Sequence, residues 1–354
     1  MHPRLKNFMR FFCSKSEKKM AMLLTVLFIV ANLHFRPSEF QIQFRKPKKL
    51  ESSITIKSNF KVHSASWSQG DLLQTITPHL KSSWMVVCFS NIKYIEIVKI
   101  WYKQLEALGY TNHFIVAMDT ETFDVLSGKL QSSNVSSTKY RVIKSVRPYN
   151  ATRQSLHNLW AIRLRTIHQL LSLSVNIFTS DSDTIWKKYV DLDTLPKNYN
   201  IFHAYDIGYP KNVFRHFGFV VTGGIGGYIY SAETLELVEH FMQSCSDACD
   251  DQTVFNEYYM KSGFLFSGTN ETTSLEFDVN KVNRSGVSED GRFKVLILET
   301  DICVRANNPT YCWKKSWDNL WLYSPQAEKT GKDKLEMLGK YKECFAEGVF
   351  STEF

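Results

Sequence analysis

The chain has 354 residues, 44% of them hydrophobic and 14% aromatic, which supports a sizeable buried core and excludes a disordered polymer. Its formal net charge is +8, but Arg4, Lys6, Arg10, Lys15, Lys18 and Lys19 against Glu17 put a surplus of five into residues 1–19. The remainder mixes both signs, leaves no sustained basic face, and excludes nucleic acid as the expected partner.

The first predicted element is the uncharged run of residues 20–35, MAMLLTVLFIVANLHF, between Lys19 and Arg36. Its 16 residues fall a little short of the ~20 of a full span. Flanking Lys and Arg side chains can snorkel, and a thin early-secretory bilayer tolerates the length. A signal anchor is therefore expected, with residues 1–19 cytosolic because Lys15, Lys18 and Lys19 outweigh Arg36. A signal peptide cleaved near Ala31, giving a secreted protein, is the alternative. Four sequons (Asn134, Asn150, Asn270 and Asn283) and six cysteines beyond the run (Cys88, Cys245, Cys249, Cys303, Cys312, Cys344) fit an oxidising lumen. Most of these cysteines are expected to pair, with Cys245 and Cys249 either bridging each other or meeting later partners, while Cys13 stays free. No CxxC or HxxxH spacing suggests zinc.

Residues 36–82, rich in Lys, Ser and Gln, read as a stem. The folded domain is expected over 83–354. WMVVCF (84–89) predicts a buried strand, and the spacing of Ile95, Val98, Ile100, Trp101, Leu105 and Leu108 a helix. HFIVAM (113–118) predicts a second strand, TETFDVL (120–126) a helix, YRVIKS (140–145) a strand, residues 153–173 a long helix, and VNIFTS (175–180) another strand. Strands at 200–205 and 217–224, helices at 232–242 and 251–260, a strand at 295–300 and a charged helix at 332–345 complete the pattern. Such alternation predicts an α/β fold with a mixed, mostly parallel sheet covered on both faces. Ligands then bind beyond the carboxyl ends of the strands.

That is where Asp181-Ser182-Asp183 falls, in NIFTSDSDTIWKK (176–188). Two carboxylates at i and i+2 after a buried strand can share one side of a tight turn. Hard oxygen ligands of this kind suit Mn2+ or Mg2+, and such a cation answers the charge of a nucleotide diphosphate. A second triplet, Asp191-Leu192-Asp193, precedes Pro196 in a loop and reads as structural.

TSDSDTIWKK resembles the Asp-x-Asp-x-x-Trp core of the nucleotide-diphospho-sugar transferase family that includes plant xylosyl- and arabinosyltransferases. Asp251-Gln252-Thr253-Val254-Phe255-Asn256 is similar to that family's Asp-Gln-x-x-Phe-Asn segment, and FIVAMDTETFDVL (114–126) to its second strand and following helix. The resemblance spans about residues 84–325. It implies a Rossmann-like GT-A fold and a hexosyl- or pentosyltransferase that retains anomeric configuration. It also implies a nucleotide-sugar donor (a UDP-sugar first), a Mn2+ or Mg2+ cofactor, a glycan or glycoprotein acceptor, and a single-pass type II Golgi location. Carried over, Asp181 and Asp183 serve metal and nucleotide, while Asp251 and Gln252 sit by the donor sugar or acceptor. Asp119 is placed against the base, with loop capping as its alternative. Arg163 or Arg165 would meet phosphate, with a solvated helix face as the alternative.

Two departures stand out. Gly223-Gly224-Ile225-Gly226-Gly227 replaces the family's Asn and small residue before glycine. Arg305-Ala306-Asn307 stands where the family has a late His-x-Asn, and an arginine cannot ligate a metal. Arg305 can instead answer diphosphate charge. Two other readings follow from these residues: a non-catalytic binding module on a degenerate transferase fold, and a phosphatase using Asp181 as nucleophile.

Overall fold

The structure is a computed structural model that describes residues 69–79, 83–128, 140–150, 154–206, 208–267, 284–298, 303–306, 320–325 and 331–341. The expected cytosolic tail, the apolar run, most of the expected stem and the sequons Asn134, Asn270 and Asn283 lie outside the described residues; Asn150 is exposed. No helix among the described residues is long and apolar enough to cross a membrane.

The fold begins before residue 83. Helix α1 (Gln69–Ile76) buries Leu72 and Ile76, four residues apart on one face, so the end of the expected stem packs into the core. Strand β1 (Trp84–Ser90) is followed by α2 (Ile95–Ala107), β2 (His113–Ala117), α3 (Thr120–Leu126), β3 (Val142–Lys144), α4 (Leu156–Leu171) and β4 (Asn176–Thr179). Next come β5 (Ile185–Trp186), β6 (Ile201–Asp206), α5 (Lys211–Phe217), β7 (Val220–Tyr228), α6 (Ala232–Cys245) and α7 (Asp251–Lys261). The described chain ends with β8 (Leu265–Phe266), β9 (Arg284–Val287), β10 (Lys294–Leu298), β11 (Cys303–Ala306), β12 (Leu322–Pro325) and α8 (Gly331–Lys340).

Nine strands form one sheet in the order β3-β2-β1-β4-β7-β6-β10-β9-β8. Strand alternation sorts its two faces. Met85 and Val87 of β1 join Phe114 and Val116 of β2 in the core under α4, α6 and α7, whereas Val86, Cys88, Ile115 and Ala117 face the core containing Trp101, Tyr102 and Leu105 of α2. Apolar residues thus face both ways and both faces are covered, as expected.

The expected predominance of parallel pairing is not found. β1–β2, β2–β3, β1–β4 and β6–β10 are parallel, but β4–β7, β6–β7, β9–β10 and β8–β9 are antiparallel. Two of these come from β7, which slots between β4 and β6 against both, and two from β9, which runs against β10 and β8. The start of β7 also differs from the strand expected at 217–224. Residues 211–217 form helix α5, ended by Gly218 at φ +76°, and the strand then runs to Tyr228.

Cys245 and Cys249 bridge each other at the end of α6. Cys88 and Cys303 are buried free thiols within strands, so the expected pairing of most cysteines does not extend to them. Cys13, Cys312 and Cys344 lie outside the described residues.

Candidate functional site

Strand β4 lies in the middle of the sheet beside β1 and β7, and its end carries the chain into the turn Ser180–Thr184. This turn is pinned from α2. The Trp101 indole donates to Ser180 Oγ at 2.7 Å, and the Trp186 indole reaches the same oxygen at 3.3 Å. Gln104 donates to the Thr184 carbonyl at 2.8 Å and accepts from the Trp186 amide at 3.0 Å. The tryptophan of the Asp-x-Asp-x-x-Trp pattern therefore anchors the carboxylate-bearing turn. Sequence reasoning missed Trp101 and Gln104, whose helical spacing reads only as core.

Arg163 joins the two motifs. It is 7% exposed on α4. Its Nη1 donates to Asp181 Oδ1 at 3.1 Å, its Nε to Asp251 Oδ2 at 2.7 Å, and its Nη2 to the Gly223 carbonyl at 3.1 Å and to Asp251. The solvated-face alternative is thus wrong for Arg163. Arg165 points elsewhere, to the Ser246 carbonyl and, at 3.0 Å, to Asp247. A buried guanidinium with a fork of donors holds two carboxylates in fixed relation. Burial works against its charge, but Asp251 and then Asp181 hold its pKa above the ordinary range. Burial pushes the Asp251 carboxyl up to about 6 while Arg163 pulls it down.

The glycine departure has a steric cause. A Cβ on Gly223 would stand 2.5 Å from Asp251 Oδ1, and one on Gly224 would stand 2.0 Å from Asp181 Oδ2. The β7 backbone lies directly against both carboxylates, and neither position tolerates a side chain without moving one of them. Asn256, one turn along α7 from Gln252, locks this strand with its side chain: it accepts from Val221 N at 2.8 Å and donates to Val221 O at 2.7 Å. Gln252 donates to the Tyr209 carbonyl at 2.8 Å and to Asp206 Oδ2 at 3.2 Å, on the side toward α5.

Asp183 is 4% exposed and accepts from Lys334 Nζ at 2.7 Å. Sequence reasoning missed this lysine too. Burial lowers the lysine's pKa, but Asp183 and then Asp181 outweigh it, so the net shift is upward.

Two candidates remain. Asp119 caps α3, accepting from Thr122 N at 2.7 Å, and its other oxygen accepts from Ile92 N at 3.0 Å. Arg305 lies on β11 in register with Ser324 of β12, and β12 pairs with β5, the exit strand of the turn. Its side chain, and Asn307, lie outside the described residues.

The pattern implies a divalent cation at this turn. Two hard carboxylates fit in kind, but no group of three or more His, Cys, Asp or Glu that could hold a metal exists among the described residues. A Mn2+ or Mg2+ ion held by these carboxylates would need further ligands, such as donor phosphates and water.

Residues 109–308, more than half of the chain, match the family described as nucleotide-diphospho-sugar transferase. The chain belongs to that family, a class of glycosyltransferases acting on nucleotide sugars, and carries a mixed sheet flanked by helices. Among solved structures it is similar to the galactosyltransferase LgtC in complex with donor and acceptor sugar analogues, at 12% identity and TM-score 0.37, covering 72% of this chain and 95% of that one. An active-site mutant of LgtC gives the same values. The apo bifunctional glycosyltransferase WbbM is similar at 13% identity and TM-score 0.43, covering 75% of this chain and 51% of that one. No curated protein matches the chain.

Proposed function

We propose that this protein transfers a hexose or pentose, with retention, from a nucleotide-diphosphate donor (a UDP-sugar first) to a glycan or glycoprotein acceptor. In this reading it does so in the Golgi lumen, held by residues 20–35 as a type II anchor. The observation that carries the proposal is the convergence of Asp181 and Asp251, one from each family motif, on the single buried guanidinium of Arg163. Family membership supports the donor class. The Cys245–Cys249 bridge and exposed Asn150 are compatible with a lumenal domain.

Asp181 and Asp183 are the residues that would hold Mn2+ or Mg2+. Such a cation supplies positive charge to the departing nucleoside diphosphate. Arg163 keeps Asp181 and Asp251 apart and oriented while β7 closes the floor beneath them. Asp251 and Gln252 line the sugar side, Gln252 reaching toward Asp206 and Tyr209 where an acceptor can approach. Arg305 is assigned to the diphosphate, and Asp119, with both oxygens engaged by backbone amides, to a supporting rather than a direct role at the base. The phosphatase alternative does not fit membership of a transferase family.

The deciding experiment incubates the full chain with a panel of UDP- and GDP-sugars, with and without Mn2+, and follows hydrolysis and transfer. Turnover of at least one donor, lost in Asp183→Asn, is the expected result. Nucleotide binding without turnover of any donor, in the presence of extracts offering diverse acceptors, would favour a binding module instead.

A further inference from the structure

Lys334 lies beyond the matched residues 109–308 and none of the expected site residues required it. It sits in α8, which follows β12 and lies against α2, so the C-terminal helix brings a cation back onto a turn about 150 residues earlier in the chain. The side chains of Lys334 and Asp183 are 23% and 5% exposed. The ammonium also lies over the Tyr94 ring, 5.5 Å from its centroid. This is no surface pair: the lysine stem is packed and its charge is aimed at the second carboxylate of the Asp-x-Asp turn.

A single carboxylate oxygen cannot take an ammonium and a divalent cation in the same place. Two positive charges drawn to one carboxylate also repel strongly in a site of reduced dielectric. The diphosphate of a donor brings two or more negative charges to the same turn, so it offers the ammonium another partner at the moment the metal needs Asp183.

We propose that Lys334 is an exchangeable counter-ion that holds Asp183 until a nucleotide diphosphate arrives, then passes to the diphosphate and releases Asp183 to the divalent cation. This inference rests on the transferase reading above. No covalent bond is made or broken; the ammonium would pass from Asp183 to the diphosphate, and Asp183 would take the cation in its place. The consequence is obligatory coupling. Metal alone competes with Lys334 and binds weakly, whereas metal and nucleotide together each relieve the other's cost, and the coupling is reciprocal.

The test titrates Mn2+ into the full chain, with and without UDP, following free Mn2+ by its electron paramagnetic resonance signal. In Lys334→Met, which keeps much of the apolar stem and removes the charge, affinity for Mn2+ alone is expected to rise about tenfold or more, while the gain from added UDP shrinks by a similar factor. Lys334→Arg keeps a cation and is expected to retain weak binding of Mn2+ alone, which separates charge from packing. A thermal melt of each variant confirms that it is folded; should Lys334→Met fail to fold, Lys334→Gln takes its place. Unchanged affinity for Mn2+ alone in a folded, uncharged variant overturns the exchange while leaving the transferase reading intact, provided UDP still binds. Failure of every form to bind UDP, with or without Mn2+, sinks both.

Discussion

The chain contains two Asp-x-Asp turns ten residues apart, and the structure treats them in opposite ways. At Asp181–Asp183 the carboxylates are met by cations from distant helices, Arg163 of α4 and Lys334 of α8. At Asp191–Asp193 they serve their neighbourhood. Asp191 accepts from the Asp193 amide at 3.0 Å, its carbonyl accepts from Thr194 Oγ1 at 2.6 Å, and Asp193 accepts from Ser83 Oγ at 2.7 Å. The second triplet is a capped turn whose charge is incidental. The first is a place where the fold concentrates charges of both signs at the cost of desolvating them. Neutral hydrogen bonds account for one turn and ion pairs with distant helices for the other, and by that difference we assign the functional carboxylates to the first.

The largest expected effect tests whether the first turn depends on its cations. Arg163→Met removes the guanidinium but leaves Asp251 buried, an unpaired charge that costs roughly 3–5 kcal/mol of stability. A urea melt should show it, together with loss of transfer. A variant as stable as the wild type would mean that Asp251 finds another partner and that the two motifs are not joined through Arg163. Next comes Asp183→Asn, which keeps the shape but removes the charge. About a hundredfold or greater loss of transfer is expected, with a change in melting temperature much smaller than that of Arg163→Met. Full transfer with retained Mn2+ dependence would place the metal elsewhere.

Much of this contrast was legible in the residues. The buried strands β1, β2, β4 and β6 announce themselves by apolar runs, and the Asp-x-Asp-x-x-Trp pattern marks the turn. What stayed hidden were the partners, because a cation on a helix reads as solvated unless its phase is counted. Arg163 shares a face with Ile167 and Leu170, both buried, at i+4 and i+7. Arg165 has Gln169 and Ser172 at those offsets. Lys334 likewise stands four and seven residues before buried Leu338 and Tyr341. Helical phase was therefore a usable signal for both. The antiparallel entry of β7 was not legible, since its residues are buried throughout and a uniformly buried strand carries no direction. Nor was the role of Gly223 and Gly224, which depends on carboxylates brought there by other elements.

Those glycines sharpen the comparison at intermediate magnitude. Gly224→Ala forces Asp181 to move, because its Cβ would overlap Asp181 Oδ2. Roughly ten- to a hundredfold loss of transfer is expected, since a displacement of about 1 Å at a reacting centre has effects of that order. Glycine-like activity in the alanine variant would show that the floor is looser than its geometry. A smaller effect is expected from pH. With Asp251 pushed up to about 6, the carboxylate we propose for the sugar side is lost as pH falls through 6, so transfer should decline there about tenfold per unit. Stability runs the other way. The folded carboxyl holds its proton up to about 6, whereas the unfolded one releases it near its ordinary value of 3.8. The stability from this group is therefore fully present below that value and lost as pH rises through 6. The difference in melting temperature between wild type and Asp251→Asn, followed from pH 4 to 7, isolates this group from other titrations.

The smallest expected effect is at the other turn, and it carries the comparison's sharpest risk. Asp193→Asn keeps an oxygen that can accept from Ser83 Oγ, so the link from residue 83 to the capped turn survives. Among the described residues its carboxylate forms no ion pair, and Asp191 continues to accept from the residue 193 amide. A change of about 1 kcal/mol or less in stability follows from weakening one exposed hydrogen bond. Transfer rate and Mn2+ dependence should match the wild type. Asp193→Ala goes further, removing the acceptor and leaving the Ser83 hydroxyl to Asn176, which already donates to it at 3.1 Å. Its effect should still be confined to the melting temperature. If either variant lowers transfer as Asp183→Asn does, the two turns are not opposites, and convergence of cations fails as the mark of a working carboxylate in this fold.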